Sequence, residues 1–304
     1  MKRKTRLLGL ALLLLLAGVA ASCSTIGKGY RYYIAKCYYG APVKQTEFPQ
    51  HFLDINIDEY SDQLESLSSD LESHVVSEVE YQGRSLPIHL VELKNPDANK
   101  RLMVIAGVHG NESGGTLAVL ELLHDIQTYR AFYDEWNVAI LSPVNPVGLI
   151  ERSRYDQNGC DLNRKIRSSS QHGIVVQRTQ IEAFNPDVVV SMHEAPSEGF
   201  LIHPGPHLDE SLAQTILTDI ESQGIKLATF DYLGRNLQSK GQSKVSGLLK
   251  IAKRLVRVES LGDYLADKGI VEITTESGWN DADTFQRVNS HVLLIRSVVG
   301  NTRN

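Results

Sequence analysis

Short, uninterrupted apolar runs alternate along this chain with stretches whose apolar residues recur at helical spacing. Four runs carry the pattern: RLMVIAGV (Arg101–Val108), VAILSPV (Val138–Val144), DVVVSM (Asp187–Met192) and GIVEITT (Gly269–Thr275). Each is short, rich in β-branched residues and without apolar–polar alternation, as expected of strands buried on both faces of a parallel sheet. Thr116 to Leu123 repeats apolar residues at helical spacing and predicts a helix after the first run, while Ile57 to Leu71 predicts a more polar amphipathic helix before it. Strands that alternate with helices in this way predict an α/β fold.

Every run stops at a polar residue capable of chemistry: His109, Asn145, His193 and Glu276 in turn. Open α/β sheets bind ligands outside the carboxyl ends of their strands, so these four residues are expected along one edge of the sheet. The segment VIAGVHGNESGG holds the densest signal, a strand ending in H-x-x-E. Imidazole nitrogen and carboxylate oxygen are ligands for zinc, and a hydrolytic zinc site takes three protein ligands with a fourth position left for water. His109 and Glu112 supply two, unless the pair merely decorates a solvated turn.

Past the second run, NPVGLIERSRYDQNGCDLNR (Asn145–Arg164) concentrates arginines and amides in one loop. Arginine's planar fork binds a carboxylate through two parallel hydrogen bonds, so the loop suits a substrate carboxylate or an oxyanion. A salt-bridged surface loop is the plainer alternative.

H-x-x-E, then R…D-x-N-R, then His, then Glu, in that order, resembles the zinc metallocarboxypeptidases of the carboxypeptidase A type. The match runs from about Glu78, with VEYQGRSLPI (Val79–Ile88) similar to the strands that open the family's fold, to a single helix after Glu276. The resemblance implies a mixed, mostly parallel twisted sheet with helices on both faces and one Zn2+ per chain. It implies His109, Glu112 and His193 as ligands, Glu276 as general base and Arg154 as the group that polarises the scissile carbonyl. Asn163 and Arg164 would hold the terminal carboxylate of the substrate.

Arg152 competes with Arg154, which is preferred for its spacing to Asp161; Glu272 competes with Glu276, which is expected to close its strand. Asp161 is expected to accept the free N–H of His109 and fix its tautomer, as carboxylates commonly do for ligating imidazoles; an ordinary loop cap is the alternative. The mobile-loop tyrosine of the larger digestive members has no convincing equivalent in RNLQSKGQSKVSGLLKIAKRLVRVES, and Tyr264 falls in the helix that follows.

A second resemblance lies close by. Succinylglutamate desuccinylase and aspartoacylase, which hydrolyse N-acyl amino acids, share H-G-N-E, R-Y…D-L-N-R, His and Glu. Those proteins continue past the catalytic glutamate into a further β-rich domain, so the expectation here is a peptidase acting on peptides, including cell-wall peptides, with the deacylase as alternative. A non-catalytic, zinc-holding or peptidoglycan-binding lipoprotein is a third reading, opposed by the intact base and arginine.

Lys2, Arg3, Lys4 and Arg6 precede LLGLALLLLLAGVA, the length of a signal-peptide core and too short for a membrane span. Ala20-Ala21-Ser22-Cys23 resembles a bacterial lipobox, with cleavage at an unmodified small-residue site as the alternative. The expected organisation is a signal peptide over 1–22, a lipidated Cys23 with a tyrosine-rich tether over 23–50, and one catalytic domain over 51–304. This places the protein in the bacterial cell envelope, held to the membrane by an N-terminal lipid. Loss of the four basic residues leaves a surface more acidic than the full chain's formal charge of −5, and nucleic acid is not an expected partner, since binding it calls for basic patches.

With Cys23 lipidated, Cys37 and Cys160 remain of the three cysteines; the position of Cys37 in the tether argues against their pairing. Lys240 to Arg257 is read as one face of a helix. His203 and His207 are read as surface-loop residues, His124, His172 and His291 as blander still, and Glu194 as pointing away from the metal because successive strand side chains alternate faces.

Overall fold

A computed structural model describes residue 37 and residues 52–231, 234–244 and 259–302. The signal-peptide and lipobox expectations, nearly all of the tether, and most of the Lys240–Arg257 segment lie outside the described residues.

Helix α1 (Ile57–Leu67) starts where Asn56 caps it, the side-chain oxygen accepting from the Asp58 N–H at 3.1 Å, and buries Ile57, Tyr60 and Leu64. It is four residues shorter than the Ile57–Leu71 stretch read from the sequence. Strands β1 (Glu72–Tyr81) and β2 (Arg84–Leu93) form an antiparallel pair. Then follow β3 (Lys100–Ala106), α2 (Ser113–Thr128), β4 (Trp136–Ser142), α3 (Pro146–Glu151), α4 (His172–Phe184), β5 (Val188–Ala195), β6 (Leu201–Pro204), α5 (Glu210–Ser222), α6 (Leu261–Asp267), β7 (Val271–Gly278) and α7 (Thr284–Asn301). The helix starts follow from local chemistry: Asp209 caps α5, Ser260 and Asp263 form a reciprocal capping box on α6, and Asp283 caps α7.

The strands make one seven-stranded sheet in the order β1-β2-β4-β3-β5-β7-β6. Its centre, β4-β3-β5-β7, is parallel, and β1, β2 and β6 run antiparallel to their neighbours. All four apolar runs became the parallel strands. The chain leaves β3 toward β4 on one side and later returns to β5 on the other, so strand order reverses between β3 and β5. Such a switch point opens a crevice at the carboxyl ends of the strands, and β3 leads into His109 while β5 carries His193.

Candidate metal centre

β3 ends at Ala106, and the next six residues form a tight turn before α2. Gly110 makes the turn possible: its N–H donates to the Ser153 carbonyl at 2.8 Å, and a Cβ there would lie 1.8 Å from the backbone carbon of Gly148. The two backbones therefore touch, which holds the H-G-N-E turn against α3. Glu112 occupies the N-cap position of α2, and its side chain turns inward instead of capping the helix.

His109, Glu112 and His193 meet in the interior, each no more than 5% exposed. His109 Nδ1 is 2.9 Å from Glu112 Oε1, His193 Nδ1 is 2.7 Å from Glu112 Oε2, and the two Nδ1 atoms are 3.1 Å apart. The far side of each ring is also engaged: His109 Nε2 lies 3.1 Å from Asp161 Oδ1 and His193 Nε2 lies 3.1 Å from Ser191 Oγ. Both ring nitrogens of His109 thus face carboxylate oxygens, which only accept; with Nε2 donating to Asp161, Nδ1 is the atom that would offer its lone pair to a cation. Two imidazole nitrogens and a carboxylate converging on one point repel unless a cation or protons lie between them, and this donor set fits a divalent metal ion.

Burial works against charge at Glu112, yet His109 and His193 hold its carboxyl far below the usual range. Burial likewise opposes ionisation of Asp161, and Arg154, Arg164 and His109 overcome it. Burial lowers the pKa of His193, keeping it neutral and available as a ligand.

Arg154 donates from Nε to Asp161 Oδ2 at 2.9 Å and from Nη1 to Glu112 Oε1 at 3.1 Å. Its rival Arg152 is in the left-handed C-cap conformation of α3, paired outside with Asp54 and stacked on Phe52. Arg164 lies 3.8 Å from Asp161 Oδ2 and donates to the Asn163 carbonyl at 2.7 Å. Asn163 already uses its side-chain oxygen to accept the Leu261 N–H at 2.7 Å, which ties the D-L-N-R loop to α6. Asn145, expected at the same edge, caps α3 by accepting the Gly148 N–H at 2.9 Å, a structural task.

Glu276 stands opposite His193 in the β5–β7 ladder, so both side chains leave the same face. It does not close β7, which runs on to Gly278, and the rival Glu272 shares its face two pleats earlier, so the strand-end criterion fails. Geometry separates them instead: Glu276 neighbours His193, whereas Glu272 lies against Gly262 of α6 and hydrogen-bonds Thr274. Burial and the nearby Glu112 push the Glu276 carboxyl well above the ordinary carboxylate range.

Two further readings need correction. His203 is on β6, not in a surface loop; its Nδ1 donates to the Ser243 carbonyl at 3.2 Å and Nε2 lies 3.9 Å from Glu276 Oε1. LIHPGPH hid this because the prolines and glycine mask a four-residue strand. Cys37 and Cys160 do pair, in a disulfide with Cα atoms 3.9 Å apart, beside Asp161.

A mixed sheet with a His-Glu-His cluster at its switch point is a metallocarboxypeptidase-like architecture. It is shared with a metallo-carboxypeptidase from Burkholderia cenocepacia (TM-score 0.63, 15% identity, 82% of this chain and 70% of that one). A metallo-carboxypeptidase from Pseudomonas aeruginosa, in complex with (2-guanidinoethylmercapto)succinic acid, is alike to a similar degree (TM-score 0.61, 14% identity, 82% and 70%).

Residues 98–185 match the family model for the succinylglutamate desuccinylase/aspartoacylase catalytic domain. In sequence, 252 residues are 22% identical to carboxypeptidase 2 of Trichophyton rubrum, covering 72% of this chain and 46% of that protein. This chain is thus similar over residues 98–185 to the succinylglutamate desuccinylase/aspartoacylase catalytic domain and shares its overall fold with metallo-carboxypeptidases. It spans less than half the length of the curated relatives it matches.

Proposed function

We propose that this protein is a zinc-dependent hydrolase that cleaves an amide bond next to a terminal, carboxylate-bearing residue of a peptide. The observation that carries the reading is the approach of two Nδ1 atoms to 3.1 Å with one Glu112 oxygen facing each. His109, Glu112 and His193 would hold the ion, whose contribution when bound is Lewis acidity toward water and carbonyl oxygen.

The protein's own groups divide the remaining work. Glu276, with its raised pKa, is suited to take a proton from the attacking water and return it to the leaving nitrogen, since a base works best when its pKa lies near the working pH. Arg154, locked by Asp161 and Glu112, directs a fixed positive charge at the oxygen that becomes negative. Arg164 offers its charge to the substrate carboxylate beside Asn163.

A second reading, an N-acyl amino acid deacylase, is favoured by the desuccinylase/aspartoacylase match over residues 98–185. The two differ in what lies beyond the scissile amide. An envelope location, with a lipid on Cys23 and cell-wall peptides within reach, is part of the same proposal and is supported by the Cys37–Cys160 disulfide, since such bonds persist in oxidising compartments.

The test is a hydrolysis screen of the zinc-loaded soluble form, offering C-terminal dipeptides, muropeptides and N-acyl amino acids, with chelator and Glu276→Gln as controls. Peptide cleavage abolished by the substitution is the expected result. Turnover confined to N-acyl amino acids selects the deacylase, and stoichiometric zinc without turnover selects a non-catalytic metal-holding protein.

A further inference from the structure

Glu194 follows His193 on β5, and its side chain leaves the opposite face of the sheet, where it is fully buried. Its carboxylate gathers donors from three elements. Oε2 accepts the Gly114 N–H of α2 at 2.8 Å, and Oε1 accepts the Ser277 hydroxyl of β7 at 3.3 Å. Arg287 of α7, itself 1% exposed, donates from Nε to Oε1 at 2.7 Å and from Nη2 to Oε2 at 3.1 Å. The backbone N–H of Glu194 turns the other way and donates to Glu112 Oε2 at 3.4 Å.

Two of the three donors, and Glu194 itself, lie within two positions of a residue of the metal centre. Gly114 is two positions past Glu112, Ser277 follows Glu276, and Glu194 itself adjoins His193. Contact at Gly114 is close enough that a Cβ would lie 2.7 Å from Glu194 Oε1, so the start of α2 is drawn down onto the carboxylate.

We infer that the Glu194–Arg287 pair is the positioning device of the metal centre: one carboxylate, held by a two-pronged guanidinium, sets the mutual placement of Glu112, His193 and Glu276. This rests on the metal-centre reading above. Stability alone is a weak reason for such a pair, because apolar groups of the same shape often stabilise a core equally well. Placement is the stronger reason. The three ligand donors repel one another before an ion arrives, so something behind them must hold them in place, and groups that orient metal ligands from behind typically change affinity 10- to 100-fold when lost.

The experiment compares the parent, the double variant Glu194→Gln/Arg287→Met and the control Arg296→Met. Arg296 lies on the same helix but pairs with Asp125 at 2.6 Å, away from the metal centre. Zinc dissociation constants are measured by competition with a chromophoric chelator, the ligand field is read from the cobalt(II) absorption spectrum, and the metal-free proteins are melted. The expected result is at least tenfold weaker zinc binding and an altered cobalt spectrum in the double variant, with parental values in Arg296→Met. Zinc binding within twofold of the parent in the double variant, or equal weakening in both variants, overturns the inference. Should the double variant be insoluble, Arg287→Lys, which keeps the charge but loses the fork, is held to the same tenfold criterion. A parent that takes up no zinc overturns the metal-centre reading itself, a different failure from a parent that binds zinc with indifferent variants.

Discussion

Asp161 and His109 are joined at 3.1 Å through Oδ1 and Nε2, while the other oxygen of Asp161 accepts from Arg154 at 2.9 Å. One buried carboxylate thus contacts both the candidate ligand His109 and Arg154, the cation proposed to face the oxyanion. Asp161→Asn keeps the shape but weakens the acceptor and removes the charge. Zinc affinity is expected to fall about 10- to 100-fold, measured by chelator competition; unchanged affinity would make Asp161 a loop cap and nothing more.

Zinc should stabilise the fold, because an ion that binds only the native arrangement of His109, Glu112 and His193 shifts the unfolding equilibrium. At 100 times its dissociation constant the gain is about 2.7 kcal/mol. For a chain of this size that raises the melting temperature by about 4 to 5 °C. Differential scanning fluorimetry with zinc and with excess chelator checks it, and coincident melting curves would count against the site.

His203 sits beside Glu276 at 3.9 Å with its other nitrogen anchored on the Ser243 carbonyl. With Glu276 as the proposed base, His203 would hold its carboxyl in one orientation. His203→Gln is expected to lower kcat on the order of tenfold with KM little changed, less than the ~10²–10⁴-fold loss expected for Glu276→Gln. A rise in KM alone would move His203 to substrate binding.

The parallel part of the sheet was legible because its strands are dominated by apolar, β-branched residues and each delivers a polar residue near its carboxyl end. That pattern survives the loss of register information and set His109 and His193 on one edge, while Glu112 came from H-x-x-E and the three-ligand set from the family resemblance. It could not separate Glu276 from Glu272, which project from one face of the same strand; only the neighbour across the ladder does so. Nor could it show that Asn145 is consumed by capping, since a cap and a catalytic amide look alike one residue before a helix. His203 was hidden by flanking prolines and Glu194 by being judged only for the face it avoids. The Cys37–Cys160 link joins residues 123 apart in sequence, a proximity that no local pattern encodes.

His291 is fully buried between Thr275 and Ser277, and burial, with His193 and Arg287 nearby, pulls its pKa down to about 3. The unfolded chain takes up this proton near pH 6.5 and the native protein resists it, so stability is lost as pH falls from about 6.5 toward 3. Between pH 6.5 and 4 the loss from this group is about 3 kcal/mol. Urea unfolding at the two pH values should therefore show a smaller acid loss in His291→Asn than in the parent; equal losses would mean that His291 is already protonated in the fold.

The disulfide at Cys160 turns the span from Cys37 onward into a closed ring, with the D-L-N-R loop at the clasp. A protease cutting once inside that ring would leave two pieces travelling as one on a non-reducing gel. The clasp is also mechanical. Were the chain held to a surface at Cys23, tension along the segment that follows would bypass the sheet and arrive directly beside Asp161, so the anchor and the chemistry would share a single strut.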